Sequence, residues 1–236
     1  MSLVEPDGPR QRAAETKRKR TYEQIVTATV DLYAEEGEGD YTREQIADAA
    51  GVGVATLHNH FSSKYGVLRA AYERVLAPVV DPIVRAGKVN AYNPADPLQE
   101  LCNYMYSVSS LNRTYQALAV SMVRSYFDPT VLPNPGASDT ALDVEQRLGW
   151  PVCVGMLPIV SLSPFKWTSP ISADRTINQA VCISHSAALL MQVCYSPSSQ
   201  RPEDTARFVL NQLLPGILAN FSGGDITERV KRAVSR

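Results

Sequence analysis

The sequence has few of the residues and runs that mark secreted or membrane-spanning proteins. Its four cysteines, at positions 102, 153, 182 and 194, form no Cys-x-x-Cys pair and are too widely spaced for a disulfide-stapled domain, so we expect buried thiols. The two longest uncharged stretches are not membrane spans, because prolines break 148–165 and polar residues interrupt 176–200. The N-terminus has no apolar segment of the secretory type. We therefore expect a soluble, cytoplasmic protein.

The sequence also has no excess of charge of either sign. The 23 Lys and Arg residues and 24 Asp and Glu residues leave a formal net charge of -1. This balance excludes a polycationic protein that coats nucleic acid by bulk charge. The basic residues are concentrated locally. Residues 10–20 include six Lys and Arg and one Glu, and residues 49–72 include Lys64 and Arg69 without any Asp or Glu. If the chain binds DNA, the positive charge must therefore be placed locally, as it is in these segments.

Motifs of several common enzyme classes are absent as well. There is no Gly-rich phosphate loop, no Gly-x-Ser-x-Gly elbow and no His-Glu-x-x-His pair. His185 has no cluster of further His, Cys and carboxylate residues at ligand spacing. We therefore expect a protein that is not an enzyme and that needs neither a metal nor a cofactor.

Proline placement divides the chain. None of the 16 prolines lies between Arg10 and Ala77, and Pro78 and Pro82 open the remainder. Apolar residues recur at helical spacing in both parts, so the pattern predicts an all-α protein with a helical unit over 21–77 and a larger helical domain over 78–236. Residues 1–20 resemble a flexible basic arm. Thr21 is a candidate cap for the first helix.

The next two predicted helices, from Thr42 through Ala50 and over 54–61, meet the requirements of a helix-turn-helix. Ala47 is small where the helices cross, and Gly51 permits a left-handed turn. The outer face of the second of these helices carries side chains that can donate to phosphates or base edges. Asn59 among them is suited to bidentate contact with adenine.

The segment 42–64, with its glycine turn at 51–53, resembles the DNA-binding signature of the TetR family of transcriptional repressors. The resemblance implies that Thr42 and Arg43 meet the DNA backbone, that Val54, Ala55 and Asn59 face bases, and that Thr56, His58, His60 and Lys64 hold phosphates. It also implies an N-terminal three-helix DNA-binding domain and a helical C-terminal domain that dimerises and binds a small inducer. The family commonly has Tyr at the position of His58 and a capping Ser at that of Gly53.

The basic run Lys17, Arg18, Lys19 and Arg20 can follow the adjacent minor groove, or it is a solvated tail without a fixed role. Helical patterns at 174–195 and 202–221 are candidates for the interface of a homodimer, although they can equally form the core of one subunit. Side chains suited to an apolar ligand are Met105, Met122, Tyr126, Trp150 and Trp167. For any single one of them, ordinary core packing is the simpler interpretation.

These patterns predict a ligand-responsive transcriptional regulator. Its expected action is repression of a palindromic operator, bound as a homodimer and released by a small, largely apolar inducer. Activation instead of repression fits the same residues. The alternative from another class is a helical small-molecule carrier or enzyme whose DNA-binding unit is vestigial. No structure is predicted for 150–172.

Overall fold

The computed structural model describes residues 8–34, 39–88, 97–126 and 151–155, together with residues 186, 187, 190, 201, 204 and 207. The regular secondary structure in this part of the chain is helical throughout, as predicted. In chain order the helices are α1 (Pro9–Ala34), α2 (Arg43–Ala49), α3 (Val54–His60), α4 (Lys64–Lys88), α5 (Pro97–Thr114) and α6 (Gln116–Tyr126). Residues 151–155 are also helical.

Helices α1, α2 and α3 share one core with the first half of α4. Ile25 on α1, Ile46 on α2, Leu57 on α3 and Leu68 on α4 are all fully buried. Burial of each such side chain contributes about 1.5–3 kcal/mol relative to exposure. This common core fixes the orientation of the short helix α3, which is too short to be stable by itself.

Helix α1 begins at Pro9, so two predictions for the N-terminus require correction. Thr21 lies inside the helix and does not cap it, and residues 9–20 are helical rather than a flexible arm. The physical reason is composition: residues 10–20 are mostly Arg, Lys, Ala, Gln and Glu, which favour helix. Pro9 suits the first helical position, where no N–H is needed.

Helix α4 continues through Pro78 and Pro82, so the predicted domain boundary at residue 77 falls inside a helix. Each proline removes a helical hydrogen bond. Both rings, however, lie on the exposed side of α4, while Val75, Val80 and Ile83 remain buried on the other side. The continuing apolar face outweighs the two lost bonds. One helix therefore joins the N-terminal unit to the rest of the molecule.

Helices α5 and α6 pack against α4. Helix α5 begins at Pro97, as predicted, and the buried residues Met105 and Met122 lie on the faces that periodicity indicated. Cys102 and Cys153 are buried thiols, as expected. In the described part of the chain, no helix is long and apolar enough to cross a membrane.

Several predictions fall outside the residues that the structure describes. Trp150, Trp167, Cys182 and Cys194 are among them. The proposed interface segments 174–195 and 202–221 are also outside, apart from residues 186, 187, 190, 204 and 207. Of these, Ser186, Ala187 and Leu190 are buried. Burial in one chain fits an intramolecular core as well as a helix bundle at an interface, so the homodimer stays a prediction.

Candidate nucleic-acid interface

A capping box fixes the start of α2. The Gln45 N–H donates to Thr42 Oγ1 at 3.3 Å, and the Thr42 N–H donates to Gln45 Oε1 at 2.8 Å. The two bonds satisfy two backbone donors that a helix start otherwise leaves unpaired. The predicted cap at Thr42 is confirmed. Thr42 Oγ1 accepts the cap bond, and the hydroxyl of this exposed residue donates to the Glu44 carboxylate, which helps to lower the pKa of Glu44.

The turn between α2 and α3 has the geometry of a Schellman motif. Gly51 has φ +62, its N–H donates to Asp48 O at 2.8 Å, and the Val52 N–H donates to Ala47 O at 2.9 Å. From α1, Gln24 Nε2 donates to Ala50 O at 2.7 Å. The predicted left-handed residue at Gly51 is confirmed. The angle at which α3 leaves α2 is thus set by backbone and side-chain bonds together.

Helix α3 presents a continuous outward face on four residues. Leu57 is fully buried, whereas Val54, Ala55, His58 and Asn59 are exposed. Positions 54, 55, 58 and 59 lie on one side of a helix with 3.6 residues per turn. Among the described residues, Val54 is the one large aliphatic side chain that is exposed, at 42%. The face therefore combines apolar, imidazole and amide groups at one surface.

Two other predicted contact residues on α3 lie at the edge of this face. Thr56 and His60 are half-buried, and His60 lies beside the ring of Phe61, which ends the helix. Gly53 caps α3 without a side-chain hydrogen bond. The structure thus brings the six residues predicted on α3 to one region. Val54, Ala55, His58 and Asn59 are exposed there, and Thr56 and His60 are partly covered.

Three basic residues that follow or precede α3 in the chain, Arg43, Lys64 and Arg69, are engaged by the protein itself. Lys64 Nζ lies 2.5 Å from Asp40 Oδ1, and Arg69 Nε lies 2.9 Å from Glu73 Oε1. Arg43 Nη2 donates to Phe61 O at 3.1 Å. The window 49–72 therefore has less net positive charge around it than its sequence indicates, because carboxylates from outside the window neutralise both of its bases.

Asp40 was not among the predicted site residues, yet it connects three parts of the fold. Its Oδ1 accepts from Lys64 and also from Ser121 Oγ on α6, at 2.6 Å. Ser121 Oγ in turn lies 2.9 Å from the Tyr33 hydroxyl on α1. Partial burial acts to raise the pKa of Asp40, but hydrogen bonds from Lys64 and Ser121 and the charges of Lys64 and Arg124 lower the pKa below its ordinary value overall. Asp40 is therefore an anion at neutral pH.

Unpaired positive charge lies on the N-terminal end of α1. The side chains of residues 10–20 are exposed, and the six Lys and Arg among them form no ion pair with any residue that the structure describes. Tyr22 stacks on Phe61 with ring centroids 5.1 Å apart. The basic segment therefore leaves the bundle beside the end of α3. Twelve helical residues give it a length of about 18 Å.

The predicted inducer-binding side chains that are described lie in the core. Met105 and Met122 are fully buried and Tyr126 is 3% exposed, within the same cluster as α4. A cavity of about 260 Å³ lies instead between α4 and residues 151–155, where Leu76, Val80 and Val154 contribute to its wall. The described residues contain no group of three or more side chains that could hold a metal ion.

Two comparisons with known proteins agree with this geometry. Residues 25–71 match the sequence model of the bacterial regulatory proteins of the tetR family. The chain is also similar to HTH-type transcriptional regulator BetI 1 of Chromohalobacter salexigens, at 25% identity over 91 residues. That match includes 39% of this chain and spans 45% of the relative's length. The helix-turn-helix geometry and these matches identify residues 25–71 as a DNA-binding domain of the tetR family type.

Proposed function

We propose that this protein is a transcriptional repressor that binds a palindromic operator as a homodimer and is released by a small, largely apolar inducer. The observation that carries the proposal is the outward face of α3, where Val54, Ala55, His58 and Asn59 are exposed over a buried Leu57. An α-helix with its side chains is about 10–12 Å in diameter, which suits a major groove about 12 Å wide.

The side chains of this face and of the start of α2 suit two kinds of contact, one with bases and one with phosphates. The Asn59 amide can make a bidentate pair with adenine, and the apolar Val54 and Ala55 suit the methyl group of thymine. The imidazole of His58 can donate to a phosphate, and so can Thr42 at the start of α2 once its hydroxyl leaves the Glu44 carboxylate. Base contacts of this kind determine which sequence is bound, whereas phosphate contacts set the orientation of the protein on the duplex.

The helical form of residues 9–20 changes the proposed role of the basic segment. An α-helix with side chains is about 10–12 Å in diameter, whereas the minor groove is about 6 Å wide. A helix therefore cannot enter the groove in the way an extended arm does. We assign Lys17, Arg18, Lys19 and Arg20 to the phosphates beside the site, where they increase affinity for any DNA sequence.

Dimerisation and inducer release complete the proposal. One helix-turn-helix makes few base contacts, and two copies on half-sites about 34–36 Å apart, or a multiple of that distance, supply enough for specificity. Helix α4 runs from Lys64, at the DNA end, to the cavity beside Leu76 and Val80. An inducer that prefers the non-binding conformation by about 1–3 kcal/mol would weaken operator binding about 5- to 150-fold.

The experiment that tests DNA recognition is a titration of the full chain with DNA from its own upstream region and with random DNA, each at two salt concentrations. Asn59→Ala is expected to relax the preference at one base pair, whereas His58→Ala weakens binding to both DNAs alike. Asn103→Ala is the matched control, because Asn103 is exposed on α5, outside the helix-turn-helix. Equal loss of specific and random binding in Asn59→Ala would remove its base-reading role. Absence of any sequence preference in the wild type would favour the small-molecule carrier.

A further inference from the structure

Four side chains form a polar cluster between the DNA-binding unit and α6. Asp40 lies before α2, Lys64 is the first residue of α4, Ser121 is on α6 and Tyr33 is on α1. We call them the Asp40 cluster. Asp40 Oδ1 accepts hydrogen bonds from Lys64 Nζ at 2.5 Å and from Ser121 Oγ at 2.6 Å. A single carboxylate oxygen thus joins the helix that follows α3 to a helix of the larger domain.

The hydrogen bonds of the Asp40 cluster all run toward the carboxylate. Asp40 as an anion can only accept, so Ser121 must give it its one hydroxyl proton. The Tyr33 hydroxyl must then be the donor in its 2.9 Å bond to Ser121 Oγ. The backbone N–H of Tyr41 stabilises the Tyr33 oxygen in its turn. This chain of donors fixes the position of the carboxylate and keeps it ionised, so that Asp40 stays in place to accept from Lys64.

An ammonium group binds a carboxylate and a phosphate by the same charge-assisted hydrogen bonds. We propose that Asp40 is an internal competitor of DNA phosphate: it holds Lys64 in the free protein, and Ser121 on α6 sets how firmly it does so. The inference rests on the proposed DNA binding and assigns a regulatory contact within it. In the free protein Lys64 is sheltered, with 19% of its side chain exposed, while Asp40 is 54% exposed.

Helix α6 holds Asp40 by two groups. Ser121 is 3% exposed and lies in a helix whose neighbouring residues Leu118 and Met122 are fully buried, so its position follows that of the core. Arg124, one turn further along α6, attracts Asp40 electrostatically. When a phosphate binds Lys64, Asp40 therefore still accepts a hydrogen bond from Ser121 and still lies near the positive charge of Arg124. Any movement of α6 changes the strength with which Asp40 competes.

The test is operator binding by the full chain over a range of salt concentrations, for Asp40→Asn, Lys64→Met and the double variant. Asparagine still accepts from Lys64 and Ser121 but carries no charge. Asp40→Asn is expected to tighten binding about 1.4- to 5-fold per half-site, the range that corresponds to an exposed ion pair. The slope of log K against log salt should stay close to that of the wild type, because Lys64 neutralises the same phosphate in both bound proteins. In the Lys64→Met background, Asp40→Asn should change neither quantity.

Asp81→Asn is the matched control, since it removes the same charge from an exposed residue on the second half of α4, about 25 Å further along the helix. Ser121→Ala provides a second variant: we expect a smaller gain in affinity that is absent when Asp40 is already Asn. A gain of equal size in Asp81→Asn or in the Lys64→Met background would overturn the proposal, as would weaker binding by Asp40→Asn. A wild type that binds its operator specifically while Asp40→Asn matches it refutes only this inference. A wild type without sequence preference removes the proposed function as well.

Discussion

Replacement of Gly51 by alanine isolates the energetic cost of the turn between α2 and α3. Gly51 has φ +62, in the left-handed region that favours glycine. A Cβ added there meets only Gln24 Nε2, at 3.8 Å, which is ordinary van der Waals contact. The substitution therefore causes no clash, and its cost comes from the backbone alone. That cost is about 1–2 kcal/mol for a residue with a Cβ.

Part of this cost is offset in the unfolded state. Alanine restricts the unfolded chain more than glycine does, which stabilises a folded protein by about 0.4–1 kcal/mol where the conformation is compatible. The expected net effect of Gly51→Ala is a loss of about 1 kcal/mol. In a chain of this size that loss lowers Tm by about 2–4 °C.

Gly53, two residues further along, provides the matched comparison. It has φ -70 and ψ 149, caps α3 without a side-chain bond, and an added Cβ there meets nothing within 4 Å. Gly53→Ser should raise stability by about 0.5–1 kcal/mol, because it supplies the missing cap and restricts the unfolded chain. Urea unfolding and thermal melting, both followed by circular dichroism on the full chain, measure the two effects. A Gly51→Ala variant as stable as the wild type, or a less stable Gly53→Ser variant, would refute the assignment of the two conformations.

Three further predictions follow from burial and charge. Replacement of the four bases at 17–20 by glutamine should weaken operator and random DNA binding alike, with a salt slope shallower by about 0.9 per lost phosphate contact and an unchanged Tm; unaltered titrations would show that the segment does not meet DNA. Leu57→Ala should cost about 2–5 kcal/mol in urea unfolding, whereas Val54→Ala stays within about 0.5 kcal/mol and weakens operator binding; equal losses of stability would contradict their different burial. Because the folded-state pKa of Asp40 is depressed, its ion pair contributes fully above its ordinary value of 3.8 and is lost as the pH falls through the lower folded-state pKa. Denaturation at pH 7 and pH 3 should therefore show a smaller acid-induced loss for Asp40→Asn than for the wild type, and identical losses would argue against the ion pair.

The features that sequence reasoning located correctly are local ones. Thr42 caps a helix through a residue three positions away, and Gly51 adopts a backbone conformation that depends on its own lack of a side chain. Leu57 is buried because its spacing places it on the inner face of a short helix. Each rule operates within about one helical turn, so the sequence contains all that it needs.

The missed features depend on residues that are distant in the sequence or on competition between effects. The helix continues past residue 77 because the buried face of α4 outweighs the hydrogen bonds that Pro78 and Pro82 remove. The Asp40 contacts span 24 residues to Lys64 and 81 residues to Ser121. No local pattern marks Asp40 as the residue that joins them, since an acidic residue before a helix cap also occurs in ordinary loops.

The distribution of charge shows why the ion pairs matter for function. A count along the chain assigns Lys64 and Arg69 to a positive region near α3, but both bases are paired with carboxylates. Beside the end of α3, residues 10–20 carry six Lys and Arg that form no ion pair with any described residue. If the proposed function holds, long-range attraction to DNA comes from α1, whereas close contact near α3 requires that Asp40 give up Lys64. On this proposal, any sequence can attract the protein, but only a site that α3 fits well holds a phosphate close enough to displace Asp40. The ion pair would in this way increase discrimination between specific and random DNA, at the cost of some affinity for both.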